Sequence, residues 1–420
     1  MDVVASKCAG IDVHQEQVTV CTLVGEPGER VRKETRVFKT FTATLLDLAD
    51  WLQKVGVTRV GMESTGVYWK PVYAVLESVG AFELVVGNAQ HMKNVPGRKT
   101  DVNDAQWIAE LLRHGLIKKS FVPPVAFRQM RDLTRYRKSM VQLRTAERNR
   151  LQKLLESANV KLGSVVTDVF GMTGMAIVRA LVGGETKPEV LAELACGNLR
   201  AKKYALKQAT ECRIEEHHRT LLKLQLAQVD HLDEVIDTLD AEIDRRLEPY
   251  RRQLELLCTI PGIGKAGAAT ILAEMGADMS AFPTAGQFAA WAGVCPGNNE
   301  SAGKRFGTRT RKGNPYLRTA LVEAATSAVR TKGSFFRDKY NRMGSRMPRK
   351  KAKVAIAHKL AVAAYAMLKN DRPFKDLGPD HLDTIHAKRR LSKLRKQASE
   401  LGYELTPHAS SGHQPSPQIS

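Results

Sequence analysis

Long apolar runs are missing from this sequence, and so is a leader. No stretch is apolar for long enough to span a bilayer, and the opening MDVVASKCAG lacks the basic-then-apolar form of a signal peptide. Both absences point to a cytoplasmic protein. Cysteine is scarce as well: there are six, Cys8, Cys21, Cys196, Cys212, Cys258 and Cys295, and none forms a C-x-x-C pair. That argues against a disulfide framework, and the cysteines read mostly as small buried apolar residues. Zinc is equally disfavoured, because His217, His218 and His231 lie on a charged helix without paired thiols. Acidic residues are few relative to basic ones. Lys and Arg total 65 against 44 Asp and Glu, a formal net charge of +21. An excess of that size points to a polyanionic partner, nucleic acid or an acidic membrane surface.

At 420 residues the chain is long enough for two or three domains. Residues 1–124 open with CAGIDVHQEQVTVCTLVG, a strand, turn and strand, and RVRKETRVFKTF fits a third. TATLLDLADWLQKVG has helical periodicity, VTRVGMES reads as a strand, GVYWKPVYAVLESVG as a helix and FELVVGN as another strand. The segment KTDVNDAQWIAELLRHG reads as a helix with Asp101 and Asp104 in its first turn and Gly115 as its stop. Three strands followed by alternating helix and strand predict a mixed α/β sheet.

Residues 125–250 are helical and highly charged. Leu133, Tyr136, Met140 and Leu143 recur at three- and four-residue steps, as do Leu232, Ile236, Leu239, Ile243 and Leu247. Two long amphipathic helices packed as a coiled coil are expected, with a small helical cap between them over 163–195. Residues 251–372 carry most of the remaining Gly and Pro signals. Residues 373–420 form a tail, in which HAKRRLSKLRKQASELG predicts a basic helix and TPHASSGHQPSPQIS a disordered end.

Four carboxylates stand out. Asp12 sits inside the apolar strand CAGIDVH, where an unpaired aspartate is costly to bury. Glu63 ends the strand VTRVGMES, and Asp101 and Asp104, three apart on one helix, share a face. If the strands are neighbours and the helix crosses their ends, all four converge. Clustered carboxylates need cations, and hard oxygen ligands select Mg2+ or Mn2+. Two such ions suit phosphoryl transfer. Taken singly, each acid is more readily structural; a strand-end acid is common, and Asp101 could merely cap its helix.

Towards the C-terminus, LCTIPGIGKAGAATILAEMG joins two helices through Gly262 and Gly264, next to Lys265. Such a hairpin can hold a phosphate at a helix N-terminus, and is equally readable as a tight turn between packed helices. Further on, FAAWAGVCPGNNESAGKRFGTRTRKGNPYLR passes from an apolar helix into a loop in which Lys304, Arg305, Arg309, Arg311, Lys312 and Arg318 surround Ser301. A serine needs activation to act as a nucleophile, and cations here could hold a phosphodiester.

Taken in order, the G-I-D-V-H strand, the E-S-T-G segment, K-T-D-x-x-D-A, the P-G-I-G hairpin and P-x-x-x-x-S-A-G-K followed by R-K-G-N-P-Y-L-R resemble the insertion-sequence transposases of the one-ten family, relatives of the Piv-type DNA invertases. The resemblance extends to about Asn370. It implies a RuvC-like, RNase-H-fold domain with Asp12, Glu63, Asp101 and Asp104 as metal-holding catalytic acids, a coiled-coil middle, and a mainly helical C-terminal domain with a helix-hairpin-helix-like element and Ser301 as nucleophile. Relatives often have Ser-Gly directly, whereas Ala302 intervenes here before Gly303.

What the resemblance implies further is a bacterial, nucleoid-associated enzyme that cuts and rejoins DNA through a covalent 5′-phosphoserine. It also implies a structured non-coding bridge RNA that pairs with donor and target DNA, and a homodimer or homotetramer. Piv-like inversion, a hydrolytic junction-resolving nuclease using the acids alone, and a non-catalytic nucleic-acid scaffold are the competing readings.

Overall fold

The computed structural model describes residues 2–93, 95, 103–297, 299–302, 304–307 and 309–406. Asp101 and the end of the tail, 407–420, lie outside the described residues. The chain divides into two compact units, Met1–Pro123 and Pro124–Ser420.

In the first unit, strands β1 (Lys7–Val13), β2 (Gln17–Val24) and β3 (Arg32–Lys39) are followed by α1 (Thr42–Val55), β4 (Arg59–Glu63), α2 (Trp69–Val79), β5 (Glu83–Gly87), α3 (Ala89–Lys93) and α4 (Asp104–Arg113). The sheet order is β3-β2-β1-β4-β5. The first three strands pair antiparallel, while β4 and β5 join parallel to β1. This is the mixed sheet expected of a RuvC-like domain.

Both faces of the sheet are covered. On one, Ala9, Ile11, Val18, Val20, Val60 and Met62 pack under the apolar stripes of α1 and α2. On the other, Cys8, Cys21, Leu23 and Val85 meet Ala105, Ile108, Ala109 and Leu112 of α4. The helix lies close to the sheet because the strand residues beneath it are glycines. Gly10 and Gly61 are direct partners in the parallel register. A Cβ on Gly10 would overlap the Ala105 carbonyl and the Ala109 amide, and one on Gly61 would press on Leu112 and Ile108. The far end of α4 is tied down by Arg113, which is buried and donates to the carbonyls of Ser6 and Gly25 at 3.2 and 2.7 Å.

The second unit is built on two long helices, α5 (Val125–Ser157) and α10 (Glu216–Leu247). Between them lie α6 (Leu162–Val165), α7 (Met172–Val182), α8 (Pro188–Glu193) and α9 (Lys203–Ala209), which close a core around Leu151, Ile177, Leu181, Leu206 and Leu222. α5 and α10 run antiparallel, since Arg137 pairs with Asp240 while Arg144 and Arg148 pair with Asp233. Leu232, Ile236, Ile243 and Leu247 are buried, as their spacing predicts, and Leu239 is half-buried. The α5 half of the seam differs from expectation. Of Leu133, Tyr136, Met140 and Leu143 only Met140 is buried, and Tyr136 and Leu143 are exposed. Met140 and Val141 supply the apolar contact from α5, and beside them Arg137, Arg144 and Arg148 pair with the acids of α10.

Beyond α10 come α11 (Arg251–Cys258), α12 (Lys265–Met275), α13 (Ala285–Trp291), a two-stranded ribbon of β6 (Asn299–Ser301) and β7 (Lys304–Gly307), α14 (Pro315–Ala328), α15 (Phe335–Gly344), α16 (Arg349–Asn370) and α17 (His381–Glu400). The cysteines depart from the apolar reading. Cys8 and Cys21 are buried, but Cys196 and Cys258 are exposed and Cys212 and Cys295 half-buried. No helix among the described residues is long and apolar enough to cross a membrane.

Candidate active site

Alternation along a strand decides where the strand-end acids point. Gly10 and Asp12 share one face of β1, and Gly61 and Glu63 the same face of β4. Because Gly10 and Gly61 lie under α4, Asp12 and Glu63 emerge on the α4 side, two residues further along. They stand one step beyond the last parallel pair, Ile11 with Met62. Two adjacent strands therefore end in carboxylates side by side. Asp104 opens α4 in its first turn, and the backbone of that turn crosses β1 at Gly10. The glycine pair thus brings the helix start towards the strand ends.

Asp12 is partly buried, with 25% of its side chain exposed, and its Oδ2 lies 3.1 Å from Nε2 of His14. Thr65 donates its hydroxyl to Oε1 of Glu63. Neither His14 nor Thr65 figures among the residues singled out from the sequence. Both lie two positions beyond an acid, a spacing that returns a strand-end side chain to the same face.

Asn103, not an aspartate, caps α4, its side chain accepting from the Ala105 amide at 3.0 Å. The cap is non-helical, so the helix is shorter than the sequence suggests. Asp101 precedes it, and its expected sharing of a helical face with Asp104 lies outside the described residues.

Ser301 ends β6, where it pairs with Lys304; Glu300 pairs with Arg305 and Asn299 with Gly307. The loop expected from the sequence is thus a β-ribbon, and Ser301 stands at its turn. Ala302 takes that turn with φ +48°, a left-handed conformation in which glycine is usual. Lower down the ribbon, Pro296 bridges to Thr310, Arg311 N–H donates to Cys295 O and Gly297 N–H to Arg309 O. Lys304, Arg309, Arg311, Lys312 and Arg318 are exposed.

The base of the ribbon is anchored on a buried charge. Glu274 of α12 is fully buried. It accepts two hydrogen bonds from Arg135, at 2.7 and 2.8 Å, and one from the Asn314 amide at 2.6 Å. Arg131 lies 3.2 Å from the same carboxylate. Asn314 in turn caps α14 by accepting from the amides of Tyr316 and Leu317. The K-G-N-P-Y run is therefore fastened to α12 and α5 at once. The signal in the sequence is a lone glutamate in the apolar run ILAEMG.

The glycine hairpin divides in two. Gly262 has φ +88°, and a Cβ there would overlap the backbone of Ala324 and Ala328 in α14, so packing accounts for it. Gly264 is the N-cap of α12 and faces open space, while Lys265 pairs with Asp244 at 2.6 Å.

Two family comparisons match the chain where these features lie. The transposase family DEDD_Tnp_IS110 matches residues 9–160, and the "Transposase IS116/IS110/IS902 family" matches residues 254–341. The chain belongs to the IS110 family of transposases. A "Probable family 20 transposase" of Pseudomonas aeruginosa is 25% identical over 337 residues, spanning 78% of this chain and 88% of that protein. The "Pilin gene-inverting protein" of Moraxella bovis is 28% identical over 180 residues, 38% of this chain and 56% of the relative. The Thermus thermophilus RuvC structure matches with a TM-score of 0.22 and 14% identity, over 27% of this chain and 99% of that one.

As an IS110-family transposase, the protein is an enzyme of DNA cleavage and strand transfer, and the acid-bearing first unit uses divalent metal. The donors here fit such an ion: carboxylate oxygens only, at strand ends and a helix start. Another grouping, Glu215, His217 and His218, brings ligand atoms within 4.8 Å of one another. Glu215 and His218, however, form the capping box of α10, each bonding the other's backbone amide.

Proposed function

We propose that this transposase cuts DNA with two components, Asp12, Glu63, Asp101 and Asp104 as metal-holding acids and Ser301 as the nucleophile. The observation that carries the reading is the pairing of Gly10 with Gly61, which leaves Asp12 and Glu63 adjacent on the face that α4 covers. Mg2+ or Mn2+ held by these acids would polarise a phosphate oxygen and stabilise developing charge. His14, 3.1 Å from Asp12, holds that carboxylate's orientation.

In the cleavage step the Ser301 hydroxyl oxygen bonds to phosphorus and the P–O3′ bond breaks. The serine proton passes to solvent and the departing 3′ oxygen takes one up. The product is a 5′-phosphoserine ester with a free 3′-hydroxyl. Attack by a 3′-hydroxyl on that ester reverses the bookkeeping and rejoins DNA without an external energy source. Exposed Lys304, Arg309, Arg311, Lys312 and Arg318 supply cations for the phosphates, with Arg305, Gly264 and Lys265 as further contacts to the DNA backbone. A structured bridge RNA supplies sequence recognition, consistent with the +21 charge, and a homodimer or homotetramer holds the two duplexes.

The test is direct. Wild-type protein incubated with its element end and Mg2+ or Mn2+ should yield a DNA-linked peptide containing Ser301. Asp12→Asn should abolish cleavage while retaining DNA binding, and Ser301→Ala should abolish the adduct. Cleavage by wild type without any linked peptide would leave water as the nucleophile and overturn the serine assignment. Undiminished cleavage by Asp12→Asn would remove the acids from the chemistry. RNA sequencing of the purified protein's bound nucleic acid tests the guide.

A further inference from the structure

Helix α17 (His381–Glu400) lies beyond residues 254–341, the segment matched to the C-terminal transposase family. It carries Lys388, Arg389, Arg390, Lys393, Arg395 and Lys396 against only Asp383 and Glu400. No residue of the helix is buried, and every residue from 386 to 397 is exposed. Of the six cations only Lys396 has an acidic partner among the described residues, Glu400 at 3.9 Å. In most proteins helical stability comes from a packed face, and this helix has almost none.

The start of the helix, by contrast, is fixed. Arg342 of α15 donates to Asp383 at 2.5 Å, and His381 sits edge-on to Phe335, ring centres 5.9 Å apart. The hydrogen bond from Arg342 holds the Asp383 carboxyl below its usual range. At 100° per residue Ala387, Leu391, Leu394 and Ala398 share one narrow stripe, and the cations occupy the rest of the circumference. An anchored base and a free, densely cationic shaft suit a backbone of regularly spaced negative charges.

We propose that α17 is a nucleic-acid-binding arm that clamps phosphate backbones through Lys388, Arg389, Arg390, Lys393 and Arg395, separately from the ribbon around Ser301. Its partner is a nucleic-acid backbone read by charge and spacing without base recognition. The donor or target duplex and a folded RNA offer that same chemistry. Exposed cations gain little from one another, and their free energy of binding comes from counterion release. The salt dependence of binding therefore measures how many of them touch phosphate.

The experiment uses the full chain with all five residues changed to Gln, which keeps helix propensity close to that of Lys and Arg. Affinity is measured against salt for a random-sequence DNA duplex, a hairpin RNA and vesicles of phosphatidylcholine with phosphatidylserine. Helicity and melting temperature should match wild type, because none of the five side chains packs. The slope of log K on log salt for the duplex should shrink by about 4 to 5, and affinity at moderate salt by about tenfold or more. Loss for the duplex alone or the hairpin alone identifies which nucleic acid the arm holds. If helicity falls, the pair Arg389→Gln and Arg390→Gln is read the same way, with a slope change of about 2. Wild-type slopes for both nucleic acids would make α17 a solvated face and overturn the proposal. So would loss of vesicle binding with nucleic-acid binding intact. Lys at positions 389, 390 and 395 should preserve the wild-type slope if charge is what the arm supplies.

Discussion

At the scale of single residues, the proposed acid cluster depends on a position with no side chain. Gly10 has ordinary backbone conformation, so its requirement is spatial: the α4 backbone occupies the place where a Cβ would go. Gly10→Ala should therefore push α4 off the sheet and cost about 1–3 kcal/mol or more, as overpacking does. Cleavage should fall with it although every acid is retained. Gly61→Ala is milder, because the atoms 3.2–3.3 Å from its Cβ are tips of Leu112, Ile108 and Ile117 side chains. Thermal melts of both variants test the ordering, and a Gly10→Ala protein with wild-type stability and activity would remove the glycine pair from the account. Ala302 is the opposite case, a side chain where the backbone favours none. A left-handed residue other than glycine costs about 1–2 kcal/mol. Ala302→Gly should slow amide exchange at Ser301 and Lys304 by relieving that strain; faster exchange would show that the added freedom outweighs it. The acids themselves were legible, because an aspartate in CAGIDVH conflicts with its apolar surroundings. What sets α4 close over the ends of β1 and β4 was not, since a glycine's value lies in an approach from a helix almost a hundred residues away.

Among elements, two kinds of charge pairing do different work. The antiparallel helices α5 and α10 are joined by partly exposed pairs such as Arg144 with Asp233, whose side chains remain 25% and 37% exposed. Pairs of that kind contribute about 0–1 kcal/mol each. Glu274 is a different case, because it is enclosed with Arg131 and Arg135. Burial pulls the Arg131 pKa down to about 10, and Glu274 works against that shift. Glu274→Gln should cost about 3–5 kcal/mol by removing the buried carboxylate that Arg131 and Arg135 share, against under about 1 for Asp233→Asn. Its second consequence falls on the ribbon: with Asn314 released, amide exchange at Arg311 and Gly297 should quicken more than exchange within α16. Equal melting temperatures for the two variants would refute the distinction. Periodicity revealed α10 because its seam is apolar. It misread α5 because much of that face is joined to α10 by arginine–aspartate pairs, and a pattern search for leucines passes over them. The ribbon escaped notice for a related reason: NES and KRFG are too short and too charged to read as strands, and their pairing is set by anchors at Trp291 and Asn314 that sequence separation conceals.

For the whole molecule, the proposed mechanism asks acids of one unit and a serine of the other to act on one phosphate. The two lie on opposite sides of the boundary between Pro123 and Pro124. If, as proposed, two copies of the chain hold the two duplexes, each copy brings one set of acids and one serine. The site can be completed within a protomer or across a pair. Mixing Asp12→Ala protein with Ser301→Ala protein separates these. If each site takes acids from one protomer and the serine from its partner, a mixed dimer contains one intact site and one doubly defective site. Random exchange then restores about a quarter of wild-type activity, since half the dimers are mixed and half their sites are whole. If the site is completed within a protomer, every site carries one lesion and the mixture stays inactive at all ratios. The expected outcome is restoration, peaking at equal amounts of the two variants and appearing as covalent adduct mapped to Ser301 of the Asp12→Ala chain only. Persistent inactivity, with mixed dimers confirmed by differently tagged chains, would assign the complete site to a single protomer.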